Sequence, residues 1–357
     1  MRYFRLTVGF VIALLIAACN SLFAQPGSDV LLRHTFDTET SGWTTMGQGG
    51  TVRVDNGALA LTYELKPKPF ALAVLPATPE VARMMRLRFR VKTDHDTALA
   101  VFLSEKKPGG GNYTAPFWLP ANTWQLVEFS ANDFTASDGP TDPVDADGKL
   151  DLDQVEGIGI TDLAQFFLAQ PDNPDFPMVI ARGSGTHTLW IHDFELHGGA
   201  ARSVGAMQID GFDRGFLSWI TMGGMQMKSV DKGNPLGLPA MEARYQQIEG
   251  RYGLLLLRLA NHDLAKATRL AFDLASEHES TLVVSLETKK GQRYNLTIYP
   301  PGKREVFHVS LKFADFEGPG TLDPAQLKSM AITDVSAGVG GGEQANTIWI
   351  AKVEGRQ

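Results

Sequence analysis

Apolar and polar residues alternate along most of the chain, in short runs separated by turns rich in glycine and proline. Every second residue from Leu87 to Val91 is apolar, and arginines stand between them. The alternation resumes from Leu99 to Leu103, after a short polar turn. A two-residue period is typical of β-strands with one face in a core, and no long run shows the period of an amphipathic helix. The pattern predicts an all-β fold built from short antiparallel strands.

The same order of signals occurs twice. Trp43 and Trp219 each follow a Phe-Asp pair, and each precede a Thr-Met-Gly triplet. The paired alternating runs of the first half recur at 270–286, and a Trp-Ile pair closes each half. Such a repeat predicts two tandem copies of one antiparallel β-sandwich domain. The expected boundaries are residues 29–197 for copy one, 198–205 for a linker and 206–357 for copy two.

The amino-terminal segment predicts export. Arginines precede an uncharged apolar run from Leu6 to Ala18, which is shorter than the roughly 20 residues that a membrane-spanning helix needs. The run ends in Ile-Ala-Ala followed by Cys19, the single cysteine of the chain, and this ending resembles a bacterial lipobox. The resemblance implies a signal peptide over residues 1–18 and a lipid on Cys19. The alternative is an ordinary signal peptide cut after Ala24.

Charge and the residue after the cysteine narrow the location and the partners. The formal net charge is -7, which disfavours binding to nucleic acid or to an acidic membrane surface. Contact with a membrane is therefore expected only through the lipid anchor. Asn20 stands where an Asp would direct a bacterial lipoprotein to stay in the inner membrane, so the resemblance implies an outer-membrane lipoprotein.

An aromatic residue at the same outward position of both copies predicts a ligand-binding surface. Alternation places Trp118 outside the core of copy one and Tyr299 outside the core of copy two. Phe102, Arg88 and Arg90 also fall on outward faces. Sugar rings stack on flat aromatic side chains and arginine donates to hydroxyl groups, so these residues predict a glycan platform. The alternative is that loops or the other copy cover the rings.

Other conspicuous residues are assigned structural roles. The acid-His-acid turns at 94–96 and 277–279 suggest a metal site, but neighbouring side chains diverge, so solvated hairpin turns are the prediction. Large rings dominate the burial of a sandwich, so tryptophans at matched positions of the repeat are expected in the cores. These are Trp43, Trp190, Trp219 and Trp349.

Motifs of the common enzyme classes are missing from the sequence. It holds no Gly-x-Ser-x-Gly, no His-Glu-x-x-His and no phosphate-binding loop, and its single cysteine lies at the export signal. The protein is therefore predicted not to be an enzyme. A pair of glycosidase carboxylates stays open, because the sequence does not show their separation.

The order of these signals resembles the jelly-roll carbohydrate-binding modules of the galactose-binding-like superfamily. The resemblance in copy one rests on the opening from Phe36-Asp37 to Trp43, on Trp124–Phe129 leading to Asp133-Phe134, and on the closing stretch Trp190–Phe194. The pattern is also similar to the complex I intermediate-associated family, whose members are assembly factors. The first resemblance implies a structural Ca²⁺ held by Asp37 and Asp193 in copy one, and no other cofactor. Lys352 replaces Asp193 in copy two, which argues against a Ca²⁺ there.

These observations lead to three hypotheses. The first is a non-catalytic, glycan-binding envelope lipoprotein whose two jelly rolls present weak sites to a polysaccharide. The second is a structural or assembly protein of the envelope, with a protein partner on the same faces. The third is a hydrolase, or the accessory module of one, on a sandwich scaffold. An exposed aromatic in a groove favours the first hypothesis, and a broad flat apolar face favours the second.

Overall fold

The structure of the protein is a computed structural model. It describes residues 29–66, 70–106, 108–137, 142–145, 147–168, 179–181, 184–199, 207–250 and 252–357. The predicted signal peptide, Cys19 and most of the predicted linker lie outside the described residues. Within the described part of the chain, no helix has the length and apolar character needed to cross a membrane.

Copy one is built from two antiparallel sheets packed face to face. Its strands are β1 (Val30–His34), β2 (Thr44–Gly47), β3 (Gly50–Asp55), β4 (Ala58–Leu65), β5 (Ala71–Pro76), β6 (Arg86–Thr93), β7 (Thr97–Glu105), β8 (Asn112–Leu119), β9 (Gln125–Ser130), β10 (Thr135–Ala136), β11 (Val155–Asp162) and β12 (Gly185–His197). The front sheet has the order β3-β4-β12-β6-β9, with β1 beside β12. The back sheet has the order β10-β8-β7-β11-β5-β2.

Copy two repeats this architecture. Its strands are β13 (Gln208–Asp210), β14 (Trp219–Met222), β15 (Gln226–Val230), β16 (Ala240–Gln247), β17 (Leu254–Arg258), β18 (Arg269–Ser276), β19 (Leu282–Thr288), β20 (Arg293–Ile298), β21 (Phe307–Lys312), β22 (Leu327–Asp334) and β23 (Gln344–Arg356). Its front sheet has the order β15-β16-β23-β18-β21, with β13 beside β23, and its back sheet has the order β14-β17-β22-β19-β20. Short 3₁₀ turns cover Val81–Arg83, Ala131–Asp133, Leu163–Gln165, Phe313–Asp315, Pro324–Gln326 and Ser336–Val339.

The alternating runs form the two facing layers of each core. The apolar residues of Leu87–Val91 point inward from the front sheet of copy one, and those of Leu99–Leu103 point inward from the back sheet. The matching residues of 270–286 are buried in the same way in copy two. Alternation buries one face of each strand and leaves the other face polar, so two such sheets enclose one core. The prediction of two tandem antiparallel β-sandwiches is confirmed.

Two of the four matched tryptophans lie in the cores as predicted. Trp43 and Trp219 are both buried. The indole nitrogen of Trp43 donates to Nδ1 of His34 (3.1 Å), and that of Trp219 donates to Oδ2 of Asp210 (2.6 Å). Each core tryptophan therefore has a polar partner on the first strand of its own copy, which is the usual arrangement for a buried indole N–H.

The prediction of a core position is wrong for Trp190, and Trp349 is buried as predicted but belongs to neither apolar core. Leu189 and Ile191 are fully buried on either side of Trp190, so Trp190 projects from the outer face of the front sheet. Trp349 has the matching place on β23 of copy two. The run around each tryptophan is apolar throughout, so alternation in hydrophobicity did not show which residues face the core.

The two copies pack against each other through the back sheet of copy one. Trp118 joins an apolar cluster formed mainly by copy two. The backbone nitrogen of Ser218 donates to the carbonyl of Pro116 (2.9 Å), and Nη1 of Arg258 donates to Oγ1 of Thr114 (2.7 Å). Trp118 is therefore only 2% exposed, which corrects the prediction of an open platform. Alternation correctly turned this ring away from the core of copy one, but copy two covers it.

Copy two also contacts an edge strand of the front sheet of copy one. Nη2 of Arg214 donates to Oδ2 of Asp133 (2.6 Å) and to the carbonyl of Glu128 on β9 (2.9 Å). Nε2 of Gln226 donates to Oδ2 of Asp96 (2.8 Å). These polar contacts fix copy two beside β9 and beside the turn that follows β6.

The turn at 94–96 is not the solvated hairpin that the sequence predicted. The His95 side chain is only 16% exposed and lies against buried Asp162. Asp96 accepts a hydrogen bond from the backbone of Ala121 (2.7 Å). In copy two, Glu277 and Glu279 are exposed, so the turn at 277–279 agrees better with the prediction.

Candidate functional site

The outer face of the front sheet of copy one carries cationic and aromatic side chains on the adjacent strands β6 and β12, and Trp124, just before β9, lies beside them. Alternation along β6 turns Arg88, Arg90 and Lys92 outward, because the residues between them fill the core. Strand pairing places Trp190 across from Lys92 and Glu195 across from Arg88. Side chains from separate parts of the sequence therefore meet on one surface.

A β-bulge in β12 adds a further side chain to this surface. The register between β12 and β6 shifts between His192 and Glu195, and Asp193 in the bulge has a φ of 50°. A bulge lets two consecutive residues face the same side of a sheet. His192 and Asp193 both face outward, with Nδ1 of His192 2.9 Å from Oδ2 of Asp193, while Phe194 returns to the core.

Trp124 and Trp190 form a pair that we call the tryptophan platform. Lys92 lies between them, with its Nζ 5.3 Å from the ring centre of Trp124 and 4.5 Å from that of Trp190. The guanidinium of Arg90 lies 5.8 Å from the ring centre of Trp124, which is 37% exposed. The Trp190 indole donates to Oδ2 of Asp55 (2.9 Å), which fixes its ring. Cations close to aromatic faces are attracted by the ring electrons, so these contacts stabilise the arrangement.

An open groove of about 400 Å³ lies next to the platform. Two of its cations are paired: Arg33 lies 3.5 Å from Asp193 and 3.4 Å from Glu195, and Arg88 lies 3.8 Å from Glu195. Arg90, by contrast, has no carboxylate within ion-pair distance among the described residues, and the same holds for Lys92. The groove is lined by Arg33, Arg88, Arg90, Leu126, Asp193 and Glu195.

Copy two does not reproduce this chemistry. Strand pairing aligns β18 with β6, and two alanines and one aspartate of β18 stand where β6 carries the three cations of the groove and the platform. Val306 takes the place of Trp124, and Lys352 takes the place of Asp193 in the matching bulge, with a φ of 58°. The residues that replace Arg88, Arg90 and Lys92 are Ala271, Asp273 and Ala275.

The matching tryptophan of copy two is closed off. Trp349 is 3% exposed, its indole donates to Oε2 of Glu242 (3.0 Å), and the guanidinium of Arg304 lies 4.7 Å from its ring centre. Burial alone would raise the pKa of Glu242. Hydrogen bonds from Lys228 and Trp349 outweigh this effect and hold the pKa below its ordinary value. An ionised Glu242 therefore secures a ring that has no free face for a ligand.

The structure brings together only part of the predicted site. Arg88 and Arg90 both line the groove. Phe102 is half-buried on the back sheet, and Trp118 is covered by copy two. Tyr299 is 69% exposed just after β20 of copy two, so its outward position agrees with the prediction, and its role in binding stays a prediction.

Sequence reasoning missed Trp124, Trp190 and Lys92 as candidate ligand-binding residues. The alternation that placed Arg88 and Arg90 outward also extends to Lys92 on the same strand. Alternation along β9, where Val127 is buried, likewise places Trp124 outward. The missing information was the strand order, since only the pairing of β12 with β6 brings the two tryptophans to one cation.

The two carboxylates predicted to hold Ca²⁺ have separate partners. Asp37 is exposed and accepts a hydrogen bond from Oγ1 of Thr35 (2.7 Å). Asp193 is paired with Arg33 and His192 at the rim of the groove. The structural Ca²⁺ stays a prediction that these contacts do not test.

No protein-family model matches the chain, and no curated protein does either. Among solved structures, it is similar to the family 11 carbohydrate-binding module of a cellulosomal cellulase of Clostridium thermocellum, with 18% identity, a TM-score of 0.34, and coverage of 43% of this chain and 96% of the module. A tandem of family 22 carbohydrate-binding modules from Paenibacillus barcinonensis is similar over 93% of this chain and 98% of its own, with 12% identity and a TM-score of 0.32. An exo-beta-agarase is similar over 42% of this chain and 24% of its own, with 13% identity and a TM-score of 0.32. At these TM-scores the likeness assigns no ligand to this chain.

Proposed function

We propose that this protein binds a glycan, without cleaving it, on the outer face of the front sheet of copy one. The observation that carries the proposal is the tryptophan platform, in which Lys92 lies between Trp124 and Trp190 at the edge of an open groove. Sugar rings stack their C–H groups on flat aromatic faces, while charged side chains in a groove bind the ring hydroxyls. A few polar groups beside apolar surface are typical of small-molecule sites.

The cations beside the platform favour acidic glycans over neutral ones. Arg90 and Lys92 lie beside the platform and have no carboxylate partner among the described residues, so they are available for an acidic ligand. Charge-assisted hydrogen bonds from such groups are stronger than neutral ones. A glycan that carries carboxylate or sulfate groups is therefore expected to bind more tightly than its neutral counterpart, and salt should weaken this preference.

The groove carboxylates suit positioning of a ligand better than proton transfer. Asp193 lies against Arg33, and Glu195 lies against both Arg33 and Arg88. A glycosidase needs one carboxylic acid that holds a proton for the leaving group. Both groove carboxylates are already engaged by guanidinium groups, so the arrangement supports binding and gives no support to the hydrolase hypothesis.

The rival hypothesis of an assembly protein is supported less well by this surface. A protein-docking face is expected to be broad, flat and apolar at its centre. The outer face of copy one is instead charged and grooved, and the large apolar ring of Trp118 is already covered by copy two.

The test compares binding to an array of acidic and neutral oligosaccharides. Trp124→Val installs the residue of copy two, and Val306→Ala alters the matched place in copy two as a control. We expect Trp124→Val to weaken binding at least about tenfold, because loss of a central aromatic contact costs about 2 kcal/mol. Val306→Ala should bind like the unaltered protein. Equal binding by Trp124→Val and the unaltered protein would refute the platform.

The proposed location is the outer membrane, through a lipid on Cys19. Two or more acyl chains anchor a protein stably, whereas a single chain is marginal. Cys19→Ala should move the full-length protein from the membrane fraction to the soluble fraction after cell lysis. A variant that still sediments with the membranes would show that the lipoprotein assignment is wrong.

A further inference from the structure

A second group of side chains lies at one end of the front sheet of copy one, beyond the tryptophan platform. The turn at 94–96 is tied to the beginning of β12 by two hydrogen bonds. The backbone nitrogen of Asp94 donates to the carbonyl of Thr188 (3.2 Å), and the backbone nitrogen of Thr188 donates to Oδ2 of Asp94 (2.9 Å). The carboxylate of Asp94 is thereby fixed against β12, which also carries His187.

The free oxygen of Asp94 faces two imidazole rings. Its Oδ1 lies 2.8 Å from Nδ1 of His95 and 2.9 Å from Nδ1 of His187, and the two ring centres are 4.1 Å apart. One ligand atom from each of the three residues lies within 4.8 Å of the other two. Two imidazole nitrogens and one carboxylate oxygen suit Zn²⁺ and related divalent transition metals, whereas Ca²⁺ and Mg²⁺ prefer oxygen ligands alone.

A buried carboxylate lies behind His95. Nε2 of His95 is 2.9 Å from Oδ2 of Asp162, in a contact bent away from the ideal hydrogen-bond direction. Asp162 is fully buried and accepts hydrogen bonds from the hydroxyl groups of Tyr63 and Thr97. A carboxylate in this position favours a proton on the histidine nitrogen that does not bind metal.

The three donor atoms converge on one point. Nδ1 of His95 and Nδ1 of His187 both meet Oδ1 of Asp94 at hydrogen-bond distance. A divalent cation placed there would replace the hydrogen-bonding protons between these groups and take all three atoms as ligands.

The matching place in copy two lacks the second imidazole. Asn346 is opposite Tyr245 in the sheet, as His187 is opposite Tyr63. The amide nitrogen of Asn346 donates to the Tyr245 hydroxyl (3.1 Å), and its oxygen accepts from the backbone of His278 (3.3 Å). Copy two therefore fills this place with a neutral hydrogen-bond network.

We propose that Asp94, His95 and His187 bind a divalent transition-metal cation, and that this cation links the turn at 94–96 to β12. The three side chains are 31%, 16% and 23% exposed, so the cation can enter from solvent. Three protein ligands leave a fourth position for water or for a donor from another molecule.

The test uses the untagged mature chain, treated with a chelator and then titrated with Zn²⁺ by calorimetry. We expect saturable binding of one Zn²⁺ per chain at the site in copy one. At free Zn²⁺ about 100-fold above the dissociation constant, the melting temperature should rise by roughly 5–10 °C. His187→Asn installs the residue of copy two and should weaken binding at least tenfold, whereas His278→Asn in copy two should leave it unchanged.

Three outcomes would overturn the proposal. These are the absence of saturable Zn²⁺ binding, unchanged affinity in His187→Asn, and loss of affinity in His278→Asn. A spectroscopic measurement on the unaltered chain guards against a variant that does not fold. The X-ray absorption spectrum of the zinc-loaded chain should show scattering from two imidazole rings, and a spectrum without imidazole scattering would overturn the proposal as well.

Discussion

Replacing Trp118 with alanine tests how the two copies pack. The structure buries this ring in the apolar cluster of copy two, so its loss leaves a cavity between the copies. Truncating a buried Trp in a packed interior costs about 3–5 kcal/mol. The Trp118 indole N–H is buried without an acceptor among the described residues, and removing an unsatisfied donor offsets about 1 kcal/mol of that cost. We therefore expect the free energy of unfolding to fall by about 2–4 kcal/mol.

Scanning calorimetry of the mature chain provides the assay. The expected loss corresponds to a fall in melting temperature of roughly 5–15 °C. Trp124→Ala is the matched control, because Trp124 is partly exposed and its truncation should cost less than about 1 kcal/mol. Trp118→Ala should still bind glycan when folded, since the platform lies on the opposite sheet. A melting temperature for Trp118→Ala as high as that of Trp124→Ala would refute the packing of copy two on this ring.

Two further predictions concern copy two. Burial raises the pKa of Asp210 from an ordinary 3.8 to about 7, so the folded state keeps a proton that the unfolded state loses. Its contribution to stability is complete below about pH 4 and is lost as the pH rises to about 7, so urea unfolding should show a flatter pH profile for Asp210→Asn than for the unaltered protein. Parallel profiles would contradict this. A Cβ at Gly223 would lie 2.1 Å from the carbonyl oxygen of Tyr252, whereas one at Gly224 meets nothing within 4 Å. Both glycines have positive φ, so Gly224→Ala should cost about 1–2 kcal/mol from strain and Gly223→Ala clearly more. Equal losses in thermal unfolding would show that the close approach is absent.

The fold was predictable because alternation is a local property of each strand. Leu87, Phe89 and Val91 had to share one face, and the repeat showed that the same face is buried twice. The site was harder to predict for two reasons. Alternation fixes the side of a strand but not what covers that side. Trp118 was therefore placed correctly relative to its own core, but the sequence could not decide between an open ring and the alternative of a ring covered by the other copy. Trp190 lies in an apolar run, where only the pairing with β6 shows that it faces Lys92.

The turn at 94–96 illustrates the same limit. Neighbouring side chains diverge, and for this reason the sequence argued against a metal site. The structure supplies the missing ligand from β12, because His187 reaches Asp94 from a strand far along the chain. The divergence argument holds for the three consecutive residues, but it does not exclude a cluster that two of them complete with a third residue from elsewhere.

The two copies differ in what their outer faces present. Copy one carries the exposed platform, and copy two packs against copy one. In copy two, Trp349 is closed off by Arg304 and Glu242, and β18 carries alanine or aspartate at the places of the groove and platform cations of β6. Copy two instead covers the back sheet of copy one and, through Arg214, holds the backbone of β9 at Glu128. Strand β9 begins just after Trp124 and supplies Leu126 to the groove, so this contact fixes the edge of the proposed glycan site from outside it. Copy two thus packs mainly on the sheet opposite the proposed glycan site and contacts the front sheet only at its β9 edge and at the turn after β6, among the described residues.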